Sequence, residues 1–233
     1  MNVLAVGAHP MDILFLSGGT LARYHQAGHS ISIVTMCSRP SENPDLPADD
    51  LVRARQEETL RAAALIGAQV HFLRLGVCGA WPDRDTRFPL AEIIGQVQPT
   101  VILTHDPADY CPDHERTSDL VRECDSVARQ QGVITQSPPI RETPEIVFMD
   151  TVSGLGFEPE EFVDITPVFD TKRRMMACYE EEIAAWQDHP VVAWMEWVEV
   201  HSRYRGMQSG VRYAEAFRRP RKWGLMRPRR ILP

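Results

Sequence analysis

The chain has 233 residues, of which 43% are hydrophobic and 24% are charged, and its formal net charge is −7 at pH 7. This length and composition fit a globular protein of one large domain, with room for a small appendage. The acidic charge argues against nucleic acid as the main partner. No apolar run approaches the ~20 residues that span a bilayer, so we expect neither a membrane-spanning segment nor a membrane partner.

The amino terminus shows neither the basic segment nor the apolar length of a signal peptide, so we expect a cytoplasmic protein. The five cysteines are an odd number without a CxxC pair, which argues against a disulfide scaffold or a cysteine-type zinc site.

The segment 218–230 carries seven basic residues. It fits a solvated tail or a subunit contact in a homo-oligomer, with contact to an anionic substrate as the alternative.

Short apolar runs that end at Gly, Pro or polar residues predict buried strands, and the amphipathic stretches between them predict helices. In chain order, the pattern predicts a strand at 2–7, a helix at 18–27 capped by Ser17, a strand at 30–36, a helix at 50–67, a strand at 70–75, a helix at 89–97, a strand at 100–105, a helix at 114–131 capped by Asp113, strands at 145–150 and 161–165, and helices at 168–187 and 192–204. This alternation predicts an α/β fold, Rossmann-like, with a mostly parallel sheet and helices on both faces.

No linker or repeat splits the sequence, so we expect a single domain. Its parts are a core at about 1–134, a C-terminal layer at about 145–217 and the basic tail at 218–233. In sheets of this kind, ligands bind at the carboxyl ends of the strands. Polar residues follow three of the predicted strands, and we expect them to meet in one crevice: His9 and Asp12 after the first, Glu42 after the second, and the segment 105–114 after the fourth.

His9, Asp12 and His114 form a candidate metal-binding set. Two imidazoles and one carboxylate suit Zn²⁺ in a site that keeps a position open for water. Asp113, beside His114, is a candidate for orienting a ligand or a neighbouring imidazole. The spacing alone favours capping or surface histidines over metal ligands.

The motifs in this chain favour the metal site. "AHPMD" at 8–12 is followed by "GGTLA" at 18–22, and "CPDH" occupies 111–114. With Arg55 and Glu58 as an R-x-x-E pair, and "YAEAF" at 213–217, the sequence resembles the PIG-L/LmbE superfamily of N-deacetylases over nearly its whole length. The resemblance implies an LmbE-like fold, a zinc ion bound by His9, Asp12 and His114, and an Arg55 that contacts substrate. As the alternative, Arg55 is a surface residue paired with Glu58.

The chain departs from the family pattern at the residues that move protons. The family's general base, the first Asp of A-H-P-D-D-E, is replaced by Met11. The first His of H-P-D-H is replaced by Cys111. The Asp that often follows the third strand has no counterpart before Asp83. Glu42 or Asp113 are the candidates that replace the base.

A branch of the superfamily that resembles 4-oxalomesaconate hydratase also lacks the first Asp and the first His. It is thought to use a Glu of the second loop as base, and Glu42 is similarly placed. The segments 87–99, 106–114 and 162–172 look similar to that branch. The His that serves it as an acid after the 145–150 strand is not evident in 151–159.

These observations predict a zinc-dependent enzyme that activates water for reaction with a small polar or anionic substrate. Hydrolysis of an N-acetyl or related amide is ranked first, hydration of an unsaturated oxo-carboxylic acid second, and a catalytically impaired metal-binding protein third. Asp113 and Glu42 are the catalytic candidates. The candidates for substrate contact are Arg55, Cys111, His105 and Met11.

Overall fold

The computed structural model describes residues 1–37, 48–75, 84–130, 136–185 and 192–220. Its strands are β1 (Asn2–Gly7), β2 (Ser30–Cys37), β3 (Gln69–Leu75), β4 (Val101–Thr104), β5 (Glu145–Met149), β6 (Glu161–Asp164) and β7 (Ala214–Arg218). Its helices are α1 (Asp12–Gln26), α2 (Ala48–Ala64), α3 (Arg84–Val97), α4 (Pro112–Ala128), α5 (Phe169–Met176), α6 (Glu180–Ala185) and α7 (Trp194–Ser209). None of the helices in these ranges is long and apolar enough to cross a membrane.

The strands form one sheet in the order β3-β2-β1-β4-β5-β7-β6. The first five strands of this order are parallel, β7 runs antiparallel to β5, and β6 runs antiparallel to β7. The predicted α/β fold with a mostly parallel sheet is therefore confirmed. Since the chain leaves β1 toward β2 on one side and returns to β4 on the other, the carboxyl ends of β1 and β4 flank the switch point of the sheet.

Both faces of the sheet are buried. Along β1, Val3 and Ala5 belong to one hydrophobic cluster and Leu4 and Val6 to a second one on the opposite face. Apolar residues of α1, α2, α5 and α7 complete the first cluster, and those of α3 and α4 complete the second. Burial on both faces explains why the sequence of β1 is continuously apolar rather than alternating.

A buried carboxylate joins the C-terminal strand to the first helix. Glu215 of β7 accepts hydrogen bonds from the backbone amides of Gly19 (2.8 Å) and Thr20 (2.7 Å) and pairs with Nζ of Lys172 at 2.7 Å. A Cβ at Gly19 would lie 2.6 Å from Cγ2 of Ile165, so only glycine allows this approach. The Gly18–Thr20 segment therefore allows the C-terminal layer to pack closely against α1.

Two predicted caps were wrong. Helix α1 begins at Asp12 instead of residue 18, and Ser17 lies inside it, where its hydroxyl donates to the carbonyl of Ile13. Helix α4 has Cys111 as its N-cap residue, and Asp113 lies in its first turn. In both helices an acidic residue in the first turn complements the helix dipole, which favours the earlier start.

Other predicted boundaries also differ. Helix α3 begins at Arg84, before the predicted start, and keeps Pro89 inside. The helix predicted at 168–187 is interrupted after Met176 and resumes at Glu180. The interruption allows the buried Tyr179 hydroxyl to donate to the carbonyl of Pro10 at 2.8 Å. The "YAEAF" segment supplies strand β7, which the pattern did not predict. The domain division stays a prediction.

Candidate metal centre

The candidate site lies at the switch point of the sheet. The loop after β1 carries His9 and leads directly into α1, which begins at Asp12. The segment after β4 carries His105 and leads into α4, whose first turn contains His114. Parallel pairing of β1 with β4 brings these two segments to the same edge.

The three predicted ligands come together. One side-chain donor atom from each of His9, Asp12 and His114 can be chosen so that all three lie within 4.8 Å of one another, and all three residues are buried. Oδ2 of Asp12 is 3.0 Å from Nδ1 of His9 and 3.2 Å from Nε2 of His114. The backbone amide of His9 donates to the same carboxylate oxygen at 2.8 Å, which holds the loop closed.

Asp109 orients His114. Its Oδ2 lies 2.9 Å from Nδ1 of His114, while its Oδ1 accepts a hydrogen bond from the backbone amide of Cys111 at 2.9 Å. Asp109 was not among the predicted site residues; the signal for it in the sequence was an acidic residue in the turn that leads into α4. His105, Asp109 and His114 form a second group whose donor atoms lie within 4.8 Å, and it shares His114 with the first.

Asp113 faces the other side of the site. Its Oδ2 lies 3.4 Å from Nε2 of His9, and its Oδ1 lies 3.6 Å from Nη1 of Arg116. The carboxylate is buried against the ligand set. Asp113 therefore contacts His9, whereas the carboxylate that faces Nδ1 of His114 belongs to Asp109.

His105 lies behind the ligand loop. It is fully buried, its ring stacks on that of His114 with centroids 3.8 Å apart, and its Nε2 accepts a hydrogen bond from the amide of Ala8 at 3.0 Å. Burial, followed by the charge of His114, lowers the pKa of His105 to about 4, so the ring is neutral at neutral pH. Its predicted contact with substrate stays a prediction, and its position makes it a support for the loop.

The electrostatics of the site favour a bound cation. Burial alone would raise the pKa of Asp12, but the charges of His114 and His9 and a hydrogen bond with His114 hold it well below its usual value. Burial alone would lower the pKa of His114, but the charge of Asp12 and the hydrogen bond to Asp109 raise it far above its usual value. The same buried negative charge that attracts a proton here attracts a metal ion. Two imidazoles and a carboxylate therefore fit a divalent metal with an open position.

The remaining predicted residues surround this set. Met11 is buried at the N-cap of α1, where it packs into the first hydrophobic cluster. Cys111 is partly exposed at the start of α4. Burial alone would raise its pKa, but the hydrogen bond and charge of His114 lower it. Arg55 is half-buried on α2 and lines a cleft that reaches Pro10. Glu42 lies outside the described residues.

The segment after β4 is also held by the end of β7. Arg218 forms an ion pair with Asp106, and the backbone amide of Ala108 donates to Oδ1 of the same carboxylate at 2.7 Å. Arg219 pairs with Glu161 at 2.5 Å. The first arginines of the predicted basic tail thus contact carboxylates of the body, and residues 221–233 lie outside the described part of the chain.

This fold and this buried His/Asp/His group are those of a PIG-L family chain, and the protein belongs to that family. The sequence profile of that family, described as GlcNAc-PI de-N-acetylase, matches residues 4–124.

Two curated relatives match over most of their length. The 4-oxalmesaconate hydratase of Pseudomonas putida is 28% identical, with 82% of this chain and 78% of the relative covered. The diacetylchitobiose deacetylase of Thermococcus kodakarensis is 26% identical, with 93% and 82% covered. Among solved structures, the 4-carboxy-2-hydroxymuconate hydratase of Pseudomonas putida superposes with a TM-score of 0.80 at 26% identity, covering 97% of this chain and 100% of that one. The relatives thus include both deacetylases and hydratases.

Proposed function

We propose that this chain is a zinc-dependent enzyme that adds water to the double bond of a small unsaturated carboxylic acid. The observation that carries the proposal is Met11, whose buried thioether occupies the position between His9 and Asp12 where an amidase of this family keeps its base. The three ligands around it are retained within 4.8 Å. A site that keeps its metal ligands but replaces that carboxylate with an inert side chain is suited to a reaction of water other than amide hydrolysis.

The comparisons support the same choice. A hydratase is among the relatives with 28% identity, and a hydratase structure is matched over its full length. We therefore place hydration ahead of amide hydrolysis, which the sequence analysis ranks first. Amide hydrolysis is kept as the second candidate because a deacetylase of 26% identity covers 93% of this chain.

Water addition requires a proton acceptor at the site. It breaks one O–H bond of water, forms a C–O bond at one alkene carbon and delivers a proton to the other carbon. A bound zinc ion would supply a Lewis acid that polarises oxygen. We assign the acceptor to Asp113, because its buried carboxylate lies beside His9 without belonging to the ligand set. Once protonated, the same carboxyl group holds a proton for the adjacent carbon. Glu42 is the alternative acceptor.

Metal analysis tests the proposed ligands. Purified wild-type protein should contain about one zinc ion per chain, and His114→Ala should lose it. His25→Ala, at an exposed histidine of α1, is the matched control and should retain the metal. Unchanged zinc content in His114→Ala would overturn the ligand assignment.

Two assays on the same zinc-loaded sample separate the reactions. The proposal expects bleaching of the ultraviolet absorbance of 4-oxalomesaconate, with no leaving group released. Metal-dependent release of acetate from N-acetylated amino sugars, without bleaching, would establish the deacetylase instead. Asp113→Asn should retain zinc and lose ~10²–10⁴-fold in the rate of bleaching, the usual contribution of a general base.

A further inference from the structure

Strand β3 contains a bulge next to the candidate site. Thr35 of β2 is paired with Phe72, but Cys37 is paired with Leu75, so β3 has one residue more than β2 in this interval. Arg74 lies in the bulge with φ of 54°, a left-handed conformation that residues other than glycine adopt infrequently. Bulges re-aim side chains beside active sites, and such backbone strain concentrates where function requires it.

The bulge directs Arg74 toward the metal loop. Arg74 lines a cleft between the carboxyl ends of β2 and β3 and helix α2, together with Arg55 and with Pro10, the neighbour of His9. Its guanidinium is exposed, and its contact within the described residues is a hydrogen bond from Nη2 to Oε1 of Gln56 at 3.3 Å. No described residue forms an ion pair with it. The cleft therefore carries an arginine available to an anion from solution.

We infer that Arg74 binds a second carboxylate of the substrate and selects dicarboxylic over monocarboxylic acids. The inference rests on the proposed function, since it names the substrate class of the same site. A guanidinium presents paired donors that match the two oxygens of a carboxylate, and its charge is fixed at neutral pH. Pro10, the neighbour of His9, lines this cleft, so we expect one extended molecule to reach both the cleft and the ligand loop.

The test uses two acids that differ by one carboxylate, trans-glutaconate and crotonate. Calorimetric titration of zinc-loaded wild-type protein should show at least ~10-fold tighter binding of trans-glutaconate, as a charge-assisted hydrogen bond implies. Arg74→Gln should remove this preference while crotonate binding and zinc content stay the same. Arg74→Lys should retain part of it. Arg53→Gln, at an exposed arginine of α2 that pairs with Asp50, is the matched control and should keep the full preference.

An unchanged preference in Arg74→Gln would overturn the inference, as would wild-type protein that binds the two acids equally or not at all. Inorganic phosphate that binds as tightly as trans-glutaconate, and through Arg74, would contradict the assignment to a carboxylate. Failure of the proposed function gives a different result. The preference for trans-glutaconate over crotonate then depends on Arg74, but the absorbance of no unsaturated acid is lost. If the wild-type protein bleaches the absorbance of the unsaturated acid and Arg74→Gln retains the wild-type KM, the proposed reaction is supported and the carboxylate subsite is contradicted.

Discussion

Asp109 places Oδ2 at 2.9 Å from Nδ1 of His114, and both side chains are buried. A carboxylate at this distance keeps a proton on Nδ1, so Nε2 is the ring atom that a metal would bind in exchange for its proton. Nε2 is the atom that lies 3.2 Å from Asp12, on the ligand side. The relationship is the carboxylate–histidine support commonly found behind metal ligands.

Asp109→Asn should lower the affinity for zinc by about 10- to 100-fold, the usual cost of removing such a support. Competition with a chromophoric chelator at neutral pH measures the affinity directly. Asp119→Asn, which removes the charge of an exposed carboxylate on α4, is the control and should bind zinc like the wild type. Equal affinities in both variants would show that Asp109 does not position the ligand.

The proximity of His9, Asp12 and His114 was predictable from the sequence, but the contact between Asp109 and His114 was not. His9 and Asp12 lie within one short loop, so their spacing alone predicts proximity. Asp113 was predicted to orient a ligand or a neighbouring imidazole, without a choice between His9 and His114. Adjacent residues on a helix do not face each other, and Asp113 accordingly points at His9. The carboxylate that reaches His114 comes from five residues earlier, through a turn whose geometry no periodicity encodes.

Met11 gives a test of the chemistry that leaves the ligands intact. Met11→Leu should keep the wild-type rate of water addition, because the side chain packs in the core and carries no titratable proton. Met11→Asp should lower kcat/KM for an anionic substrate, because it adds a buried negative charge next to Asp12. Rates of bleaching and zinc content are measured for both variants. An Asp variant that gains acetate release would instead mark the protein as a diverged deacetylase.

The central strands were predictable because β1, β2, β4 and β5 are buried apolar runs. Strand β7 was not, since it carries Glu215 at a fully buried position. What makes this carboxylate compatible with a strand is its set of partners: Lys172 on α5 and the amides of Gly19 and Thr20 on α1. These partners are 43 to 196 residues away in the chain. Long-range ion pairs of this kind decide where the C-terminal layer packs, and local sequence patterns do not reveal them.

A second buried ion pair anchors α7 to the end of β5. Nε and Nη2 of Arg205 lie 2.5 and 2.9 Å from the two carboxylate oxygens of Asp150. Arg205→Met should lower the free energy of unfolding by about 3–5 kcal/mol, because it leaves Asp150 buried without its cation. Urea denaturation monitored by circular dichroism measures the loss. Arg203→Met, at an exposed position of the same helix, should change stability by less than ~0.5 kcal/mol. A similar loss in both variants would contradict the role of the pair.

His201 makes stability depend on pH. Burial, followed by the charges of Lys172 and Arg205, lowers its pKa to about 3, although its ring also contacts the carbonyl of Thr151 and lies 3.4 Å from Asp150. In the unfolded chain a histidine titrates near ~6.5. Between these two values the unfolded state binds the additional proton. The contribution of His201 to the free energy of unfolding is therefore complete above pH ~6.5 and is lost as the pH falls toward 3.

His201→Gln should remove this dependence while keeping a hydrogen-bond donor for the carbonyl of Thr151. Urea titrations of both proteins at pH 7, 6, 5 and 4 measure the difference. Below pH ~6.5 the wild type should lose up to ~1.4 kcal/mol per pH unit more than the variant, the linkage for one proton. Since the carboxylates and Lys172 are common to both proteins, their own titration largely cancels in the comparison. Parallel pH profiles would show that His201 takes up its proton equally well in the folded protein.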